Sequence, residues 1–312
     1  MARVLRPLVP SRIAFVRGSH ESPRAPRSVL GGYVALTKPR VIELLLVTTL
    51  PAMVLAGRSW PSWSLAAVVL AGGALAAGGA NAINMYVDRD IDRLMARTAG
   101  RPLVTGLVRP RDALVFAVVL EAGAFALLAW GANLLSAGLA LGATAFYVGV
   151  YTLWLKRTST QNIVIGGAAG AVPVLVGWAA VAGSLSWSVL LLFAIVFVWT
   201  PPHFWALAIR HADDYRAAGV PMLPSVVPMA RTVRTMVSYT VVLVALTLAL
   251  APVARLGAIY LVSAGVLGVA FLAVVAGLAR DATHARSMRV FSFSISYVTL
   301  LFVALTVDVL LA

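Results

Sequence analysis

Long uninterrupted apolar stretches are the feature that most constrains how this chain can fold. A helix needs about 20 apolar residues to cross the hydrocarbon core of a bilayer. Stretches of about that length recur along the chain, and they are continuous rather than alternating in polarity, which excludes membrane-spanning strands. They predict an all-α polytopic membrane protein with nine transmembrane helices, over residues 41–57, 64–87, 113–131, 136–155, 162–182, 187–209, 234–254, 257–279 and 289–311.

Basic residues are distributed unevenly between the segments that connect these stretches. Of the 25 lysines and arginines, all except Arg58 and Arg255 fall in the N-terminal segment or in the connections after the second, fourth, sixth and eighth stretches. The positive-inside rule therefore places the protein in the cell membrane with its N-terminus in the cytosol and its C-terminus outside. Since the chain is 61% hydrophobic and 12% charged, its net charge of +14 indicates orientation and anionic lipid headgroups, and no nucleic acid is expected as a partner.

Residues 1–32 differ from the rest of the chain. They are basic and rich in proline, and they lack the uninterrupted apolar core of a signal peptide, so we expect a disordered cytosolic tail. Residues 33–312 are predicted to form one membrane domain. The chain contains no cysteine, which excludes disulfides, thiolate metal sites and a cysteine nucleophile.

The densest group of carboxylates follows the second apolar stretch. Asn84, Asp88 and Asp92 are spaced four residues apart, so on an α-helix they share one face, whereas Asp90 points elsewhere. Carboxylates at this spacing repel one another unless a cation lies between them, and Mg²⁺ bound through carboxylates and substrate phosphates suits the arrangement. The alternative is a solvated helix end that pairs with nearby arginines. Because ionisable groups at a membrane helix are costly, a metal–phosphate site is favoured.

Arginines follow in the same cytosolic connection. Arg97 and Arg101 are predicted to contact a diphosphate, with Gly100 and Pro102 turning the chain back toward the acidic residues. The alternative role for both arginines is contact with lipid headgroups at the cytosolic surface.

A second polar group lies at the end of the sixth apolar stretch. Pro201 and Pro202 are predicted to break the helix inside the membrane, beside His203, a candidate substrate contact or general base. The alternative for His203 is a hydrogen-bonded packing residue. Asp213 and Asp214 follow at the cytosolic end and suggest a second metal position that faces the first.

Three further acids lie within or near the apolar stretches. Glu121 is predicted to make an ordinary interhelical hydrogen bond, with a proton relay as the alternative. Glu43 and Asp308 are predicted to lie at the membrane interface. The small residues over 166–171 predict close packing between helices.

Four long segments, taken in order, carry a family resemblance. They are LTKPRVIELLLVTTLPAMVLA from Leu36, NAINMYVDRDIDRLMARTAGRPL from Asn81, LKRTSTQNIVIGGAAGAVPVLVGWAAVAG from Leu155 and WTPPHFWALAIRHADDYRAAGVPMLP from Trp199. They resemble the UbiA-type intramembrane prenyltransferases, and among these the heme-modifying branch, over residues 33–311. The resemblance implies a nine-helix bundle around a central cavity open to the cytosol. It also implies Mg²⁺-dependent transfer of farnesyl from farnesyl diphosphate to the vinyl group of heme B, giving heme O.

The same resemblance implies roles for individual residues. Asn84, Asp88 and Asp92 match the first metal–diphosphate motif of the family, and Asp214 and Tyr215 match the heme branch. The wider superfamily carries a second D-x-x-x-D motif here, whereas this chain has alanines at 217 and 218. That departure leaves open whether a second Mg²⁺ is held fully by protein.

Together these residues form a hypothesis of catalysis. Mg²⁺ held by Asp88, Asp92 and Asp214, with Asn84, clamps the diphosphate, and cations neutralise its charge as the allylic bond ionises. An aromatic-lined cavity shields the allylic cation. His203 contacts the heme iron, a propionate, or the water that captures the product cation. The proposed cations are Arg97, Arg101, Lys156 and Arg157, and the aromatic candidates are Tyr86, Tyr147, Tyr151 and Trp205.

Other functions fit parts of this pattern. One is UbiA-type transfer to an aromatic quinone precursor, and others are a non-catalytic carrier of heme or lipid and an ion-coupled transporter. The segment from Trp199 favours a heme acceptor, and the acidic connections are only loosely analogous, unlike the internal repeats of many transporters. The expected partners are heme B, farnesyl diphosphate, membrane lipids and heme A synthase.

Overall fold

The computed structural model describes Pro26 and residues 28–312, with the backbone alone at 40, 41 and 43–46. Every regular element in this part of the chain is helical, which confirms the all-α class. Tyr147–Leu155 is a π-helical segment between α6 and α7. The α-helices are α1 (Val29–Thr37), α2 (Pro39–Gly57), α3 (Trp63–Asp92), α4 (Pro102–Thr105), α5 (Pro110–Gly131), α6 (Leu134–Phe146), α7 (Lys156–Thr158), α8 (Asn162–Ala182), α9 (Trp187–Arg210), α10 (Ala212–Ala217), α11 (Leu223–Val226), α12 (Met229–Val253), α13 (Ala258–Arg280) and α14 (His284–Leu311).

Long apolar helices make the chain a multi-pass membrane protein. In the described part of the chain, eight helices are long and apolar enough to span a bilayer, and they coincide with the second to ninth predicted stretches. The first predicted stretch, 41–57, falls on α2, a helix of 19 residues. The side chains at 41 and 43–46 lie outside the described residues, and the apolar part described without a gap is Val47–Gly57. A ninth span therefore stays a prediction. The eight are Trp63–Asp92, Pro110–Gly131, Leu134–Thr158, Asn162–Ala182, Trp187–Arg210, Met229–Val253, Ala258–Arg280 and His284–Leu311.

The predicted boundary between tail and membrane domain, at residue 33, stays a prediction. Helix α1 begins at Val29, four residues before the predicted domain start, because the Ser28 side chain accepts a hydrogen bond from the Gly31 N–H over 3.1 Å and caps the helix. The tail prediction for residues 1–25 and 27 lies outside the described residues.

The two longest connections between predicted spans, 88–112 and 210–233, are partly helical. Helix α3 continues past the predicted span end at 87 to Asp92, and so carries the acidic residues on regular helix. The rest of the first connection contains α4, which begins with a proline, the residue best tolerated in a first helical turn. The second connection contains α10 and α11.

The fourth span ends in a π-helical segment that the sequence analysis did not predict. Within it, the Thr152 hydroxyl donates to the Tyr147 carbonyl over 2.9 Å, five residues back. Such wide turns are rare and occur frequently at functional sites. The segment ends directly before Lys156 and so determines where that side chain points.

Small residues of α8 allow close approach by two neighbours, as predicted for 166–171. A Cβ added at Gly166 would lie 2.3 Å from a ring carbon of Tyr151, and one at Gly167 would lie 2.9 Å from the methyl of Thr200. Glycine is therefore required at both positions for this packing, in which α8 contacts the π-helical segment and α9.

Helix α9 differs from the prediction of a broken helix. It runs without interruption from Trp187 to Arg210 through Pro201 and Pro202, both of which are buried. Proline is tolerated inside a membrane helix when neighbouring helices pack around it, and α9 contacts α8, α12 and α14.

Two intramembrane acids are structural. Glu121 on α5 accepts a hydrogen bond from the Thr144 hydroxyl on α6 over 3.1 Å, as predicted. Asp308 lies near the C-terminal end of α14 and is buried within the protein, and its place at the membrane interface stays a prediction. Its carboxylate on α14 accepts from the backbone N–H groups of Gly257 and Tyr260 over 2.6 and 3.1 Å and so caps the N-terminus of α13. The side chain of Glu43 lies outside the described residues.

Candidate active site

Helix α3 presents Asn84, Asp88 and Asp92 on one buried face. The three residues are 2%, 0% and 1% exposed, whereas the Asp90 side chain is 59% exposed. The Asn84 amide donates to Asp88 Oδ2 over 2.7 Å. The predicted common face is therefore confirmed, and so is the separate orientation of Asp90, which binds the guanidinium of Arg157 with both oxygens at 2.7 Å.

Asp88 is neutralised by a lysine 68 residues further along the chain. Lys156 Nζ donates to Asp88 Oδ2 in a buried ion pair. Arg157 Nη2 lies 3.8 Å from Asp88 Oδ1, too far for a hydrogen bond. The π-helical segment thus brings both predicted cations to α3.

Asp92 is neutralised by an arginine of the connection that follows α3. Arg101 Nη1 donates to Asp92 Oδ2 over 2.6 Å. The Thr98 hydroxyl donates to the Asp92 carbonyl over 2.8 Å, and this bond folds the connection back over the end of α3. The predicted return of the chain toward the acidic residues is confirmed.

The two buried carboxylates each retain one oxygen without a hydrogen-bond partner. These atoms are Asp88 Oδ1 and Asp92 Oδ1. Buried carboxylate oxygens normally find partners, and unpaired oxygens of this kind are the ligands that Mg²⁺ prefers. Among the described residues no group of three or more histidine, aspartate or glutamate side chains is placed to hold a metal. The residues therefore fit a Mg²⁺ ion that takes two protein carboxylates and completes its shell with water and phosphate oxygens.

The second acidic pair is placed differently from the first. Asp213 is exposed and pairs with Arg216, and the half-buried Asp214 lies 3.8 Å from His211. No hydrogen bond or ion pair joins Asp214 to α3 within the described part of the chain. Its role as a metal ligand stays a prediction.

Tyr215, on α10, contacts Arg97 in the connection between α3 and α4. Arg97 Nη2 donates to the Tyr215 hydroxyl over 3.4 Å, and its guanidinium carbon lies 5.9 Å from the ring centroid. Arg97 Nε is buried without a hydrogen-bond partner. A buried arginine with an unused donor suits an anionic ligand.

The side chain of His203, on α9, packs against α14. The Ser294 hydroxyl donates its one hydrogen to the Phe291 carbonyl over 2.6 Å. Its oxygen therefore accepts the hydrogen bond from the Nδ1–H of His203, over 2.7 Å. The imidazole stacks between Trp199 and Phe291, with centroids 4.3 and 4.6 Å away. These contacts are the ones expected of a hydrogen-bonded packing residue, the alternative role for His203. It leaves Nε2 as the atom available to a substrate, and the catalytic role of His203 stays a prediction.

Two of the aromatic candidates stack together in the π-helical segment. Tyr147 and Tyr151 lie 5.2 Å apart with an interplanar angle of 22°. Trp205 instead packs edge-on against Tyr239, and Tyr86 lies under the guanidinium of Arg89. The tyrosine pair belongs to the same π-helical segment as Thr152, whose hydroxyl accepts a hydrogen bond from Asn84 on α3.

Sequence reasoning missed Lys38 and Thr152 as members of this site. Lys38 Nζ donates to Asn84 Oδ1 over 2.9 Å, and the Asn84 amide donates to Thr152 Oγ1 over 3.2 Å. Burial lowers the pKa of Lys38 well below its usual range, and the positive charges of Arg101 and Lys156 lower it further. The sequence signal for Lys38 is its position directly before Pro39, the first residue of the apolar helix α2.

Comparisons with known proteins agree with this geometry. The sequence profile of the UbiA prenyltransferase family matches residues 45–303. A protein from Frankia casuarinae named protoheme IX farnesyltransferase is 56% identical over 282 residues, which cover 89% of this chain and 98% of the relative.

Solved structures share the fold. The structure of a digeranylgeranylglyceryl phosphate synthase covers 91% of this chain and 99% of its own, with a TM-score of 0.75 and 18% identity. A UbiA homologue from Archaeoglobus fulgidus, solved with GPP and Mg²⁺ bound, covers 90% of this chain and 100% of its own, with a TM-score of 0.61 and 17% identity. On the match of family profile, full-length relative and fold, this chain belongs to the UbiA prenyltransferase family.

Proposed function

We propose that this protein transfers the farnesyl group of farnesyl diphosphate to the vinyl group of heme B, which gives heme O and diphosphate. The observation that carries the proposal is the pair of buried carboxylates, Asp88 and Asp92, each with one unpaired oxygen and each beside a cation. The choice of heme B as acceptor is supported by the name of the Frankia casuarinae relative at 56% identity.

The orientation suits this chemistry. With the N-terminus in the cytosol and the C-terminus outside the cell membrane, Asp88, Asp92 and Lys156 lie at the cytosolic ends of their spans. An isoprenoid diphosphate presents a charged head and an apolar tail. A site at the cytosolic end of a membrane helix binds the head while the tail remains among apolar side chains.

The metal ligands of the proposal are Asp88 and Asp92, with Asn84 and Asp214 completing the set. Mg²⁺ bound there would supply positive charge to the diphosphate leaving group. Asn84 is already oriented by its hydrogen bond to Asp88, and the two unpaired carboxylate oxygens are the atoms offered to the ion.

The diphosphate ligands of the proposal are Lys156, Arg101, Arg97 and Arg157, with Tyr215 orienting Arg97. Lys156 pairs with Asp88 and Arg101 pairs with Asp92. The N–H donors that these pairs do not use are available to phosphate oxygens. As the allylic C–O bond breaks, its electron pair leaves with the diphosphate oxygen, and these cations stabilise the developing charge.

The acceptor step forms one carbon–carbon bond. The π electrons of the heme vinyl group attack the allylic carbon of the farnesyl cation, which the Tyr147 and Tyr151 rings shield from water. The cation left beside the porphyrin is captured by water, which loses one proton, and a hydroxyethylfarnesyl group results. His203 Nε2 is the proposed contact for heme or for that water.

One experiment tests the proposal directly. Membranes that contain the protein are incubated with heme B, farnesyl diphosphate and Mg²⁺, and the products are separated by chromatography. Formation of heme O supports the proposal. If an aromatic quinone precursor is prenylated while heme B is not, the acceptor is wrong. If heme or isoprenoid is bound without any product, the protein is a carrier.

The proposal also places the protein in a sequence of reactions. Heme O leaves the site as a membrane-bound product, and an enzyme that oxidises it, such as heme A synthase, is the proposed partner. Lipids of the cytosolic leaflet are the proposed surroundings of the exposed arginines.

A further inference from the structure

Arginines gather where the C-terminal end of α13 meets the start of α14. Arg280 ends α13, and Arg286 and Arg289 lie in the first two turns of α14. The one carboxylate between residues 280 and 289 is Asp281, whose Oδ2 lies 3.5 Å from Arg286 Nε. Arg289 is exposed and forms no hydrogen bond or ion pair within the described part of the chain. This segment therefore carries more positive charge than it neutralises itself.

A groove between α13 and α14 opens beside these arginines. Its volume is about 810 Å³, within the range of small-molecule binding sites, and Gly277, Arg286 and Arg289 are among the residues that line it. A Cβ added at Gly277 would meet no heavy atom within 4 Å, so the space beside its backbone is open. The Arg286 side chain is fixed at the groove because its Nη1 donates to the Gly277 carbonyl over 2.6 Å. The groove thus combines room for a ligand with an oriented guanidinium.

The outer face of α14 changes from cationic to apolar along this groove. Arg289, Ser292 and Ser296 line it in successive turns, and all three are exposed. Residues three and four apart share a helix face, and the same face continues with the exposed side chains of Leu300 and Val303. The order of cation, hydroxyl and hydrocarbon matches the order of groups along a phospholipid, which are phosphate, glycerol ester and acyl chain.

We propose that this groove binds one anionic phospholipid, with its phosphate at Arg286 and Arg289 and an acyl chain along the apolar end of the face. The Ser292 and Ser296 hydroxyls donate to the ester oxygens below the phosphate. Basic pockets between transmembrane helices suit anionic headgroups, whereas a zwitterionic lipid would bring a further cation to the arginines. The N-terminal segment of this chain is itself basic, so it does not supply the anion.

The lipid site is separate from the candidate active site. Ser294, which contacts His203, is buried on the face of α14 opposite Ser292 and Ser296. In the proposed orientation the arginines lie at the cytosolic surface, where the groove opens to lipids of the cytosolic leaflet. The inference therefore goes beyond the proposed reaction and does not depend on which acceptor is prenylated.

Two substitutions test the charge and the shape of the groove separately. Arg289→Gln removes the charge of an exposed side chain. Its matched control is Arg234→Gln, because Arg234 is also exposed and is also the sixth residue of a long helix, α12, outside the groove. Gly277→Leu fills the groove, and Gly265→Leu is its control, since it adds the same side chain to open space elsewhere on α13.

The measurement is native mass spectrometry of the full chain in detergent, titrated with dioleoyl phosphatidylglycerol or dioleoyl phosphatidylcholine. The two lipids share their acyl chains and differ in net headgroup charge. We expect wild type to bind one phosphatidylglycerol at least about tenfold more tightly than phosphatidylcholine, and Arg289→Gln to weaken that binding about fivefold. Gly277→Leu should weaken it at least as much, with both controls within about twofold of wild type.

Three results would overturn the proposal. Equal affinity of wild type for both lipids would mean that charge does not select the ligand. An equal loss in Arg234→Gln would mean that binding follows total surface charge rather than this groove. Displacement of phosphatidylglycerol by an unreactive farnesyl analogue, a thiodiphosphate in which sulfur replaces the bridging oxygen, would assign the groove to the prenyl substrate. Gel filtration checks folding, and if Gly277→Leu does not fold, wild type and Arg289→Gln still decide.

Discussion

The ammonium of Lys156 and the carboxylate of Asp88 form a buried ion pair that joins the end of the π-helical segment to α3. Both side chains lie at the membrane's proposed cytosolic face, and the aspartate is fully buried. Burying two charges is costly unless they are paired, and breaking such a pair leaves an uncompensated charge. The same pair therefore supports both the fold and the proposed site.

Asp88→Asn should abolish heme O formation while the protein remains folded in the membrane. The substitution keeps the side chain's size but removes the charge and one metal ligand, so we expect activity to fall at least about a hundredfold. Product chromatography on membranes with equal amounts of protein measures the loss. Asp90→Asn is the control, because Asp90 is exposed and bonds only to Arg157 among the cations; full activity in Asp88→Asn would refute the metal-ligand role.

Lys156→Met should destabilise the fold by about 3 kcal/mol, since Asp88 then stays buried with no hydrogen-bonded counterion. The double variant Asp88→Asn, Lys156→Met should lose less stability than the sum of the single variants. Unfolding by titration with SDS in mixed micelles measures the free energies. Additive losses would mean that the two side chains do not stabilise one another.

Asp308→Ala should destabilise α13 by about 1–2 kcal/mol, because two N–H groups at its first turn lose their acceptor. Its matched control is Thr283→Ala, which removes an exposed cap of α14 with a 3.3 Å bond and should cost less. The same SDS titration ranks the two variants. Because Asp308 caps a helix end remote in sequence from the carboxylate site, folded Asp308→Ala protein should retain substrate affinity.

Binding of Mg²⁺ should depend on the diphosphate. Among the described residues, the buried carboxylates with an unpaired oxygen are Asp88 and Asp92, and two carboxylates bind Mg²⁺ weakly without phosphate oxygens. We expect the unreactive farnesyl analogue to tighten Mg²⁺ binding at least about tenfold, and the ion to tighten binding of the analogue by the same factor. Calorimetry in both orders measures this coupling. Tight Mg²⁺ binding to the chain alone would point to a complete protein site.

Local patterns in the sequence determined the elements that carry the site. Continuous apolar stretches predicted the eight long helices that could span a bilayer, because burial in lipid requires an apolar segment of sufficient length. The four-residue spacing of Asn84, Asp88 and Asp92 predicted their shared face, since that depends only on helical geometry. The long motifs around the same residues were enough to indicate the family.

Only the tertiary structure decided which groups meet at the site. Lys38, Asn84 and Lys156 belong to three separate elements, and their contacts depend on how those elements pack rather than on any local pattern. The π-helical turn and the cap that Asp308 provides for α13 arise in the same way, from contacts between distant segments. Sequence spacing determines the direction of a side chain on its own helix, but the partner that satisfies its charge is determined by the neighbouring helix.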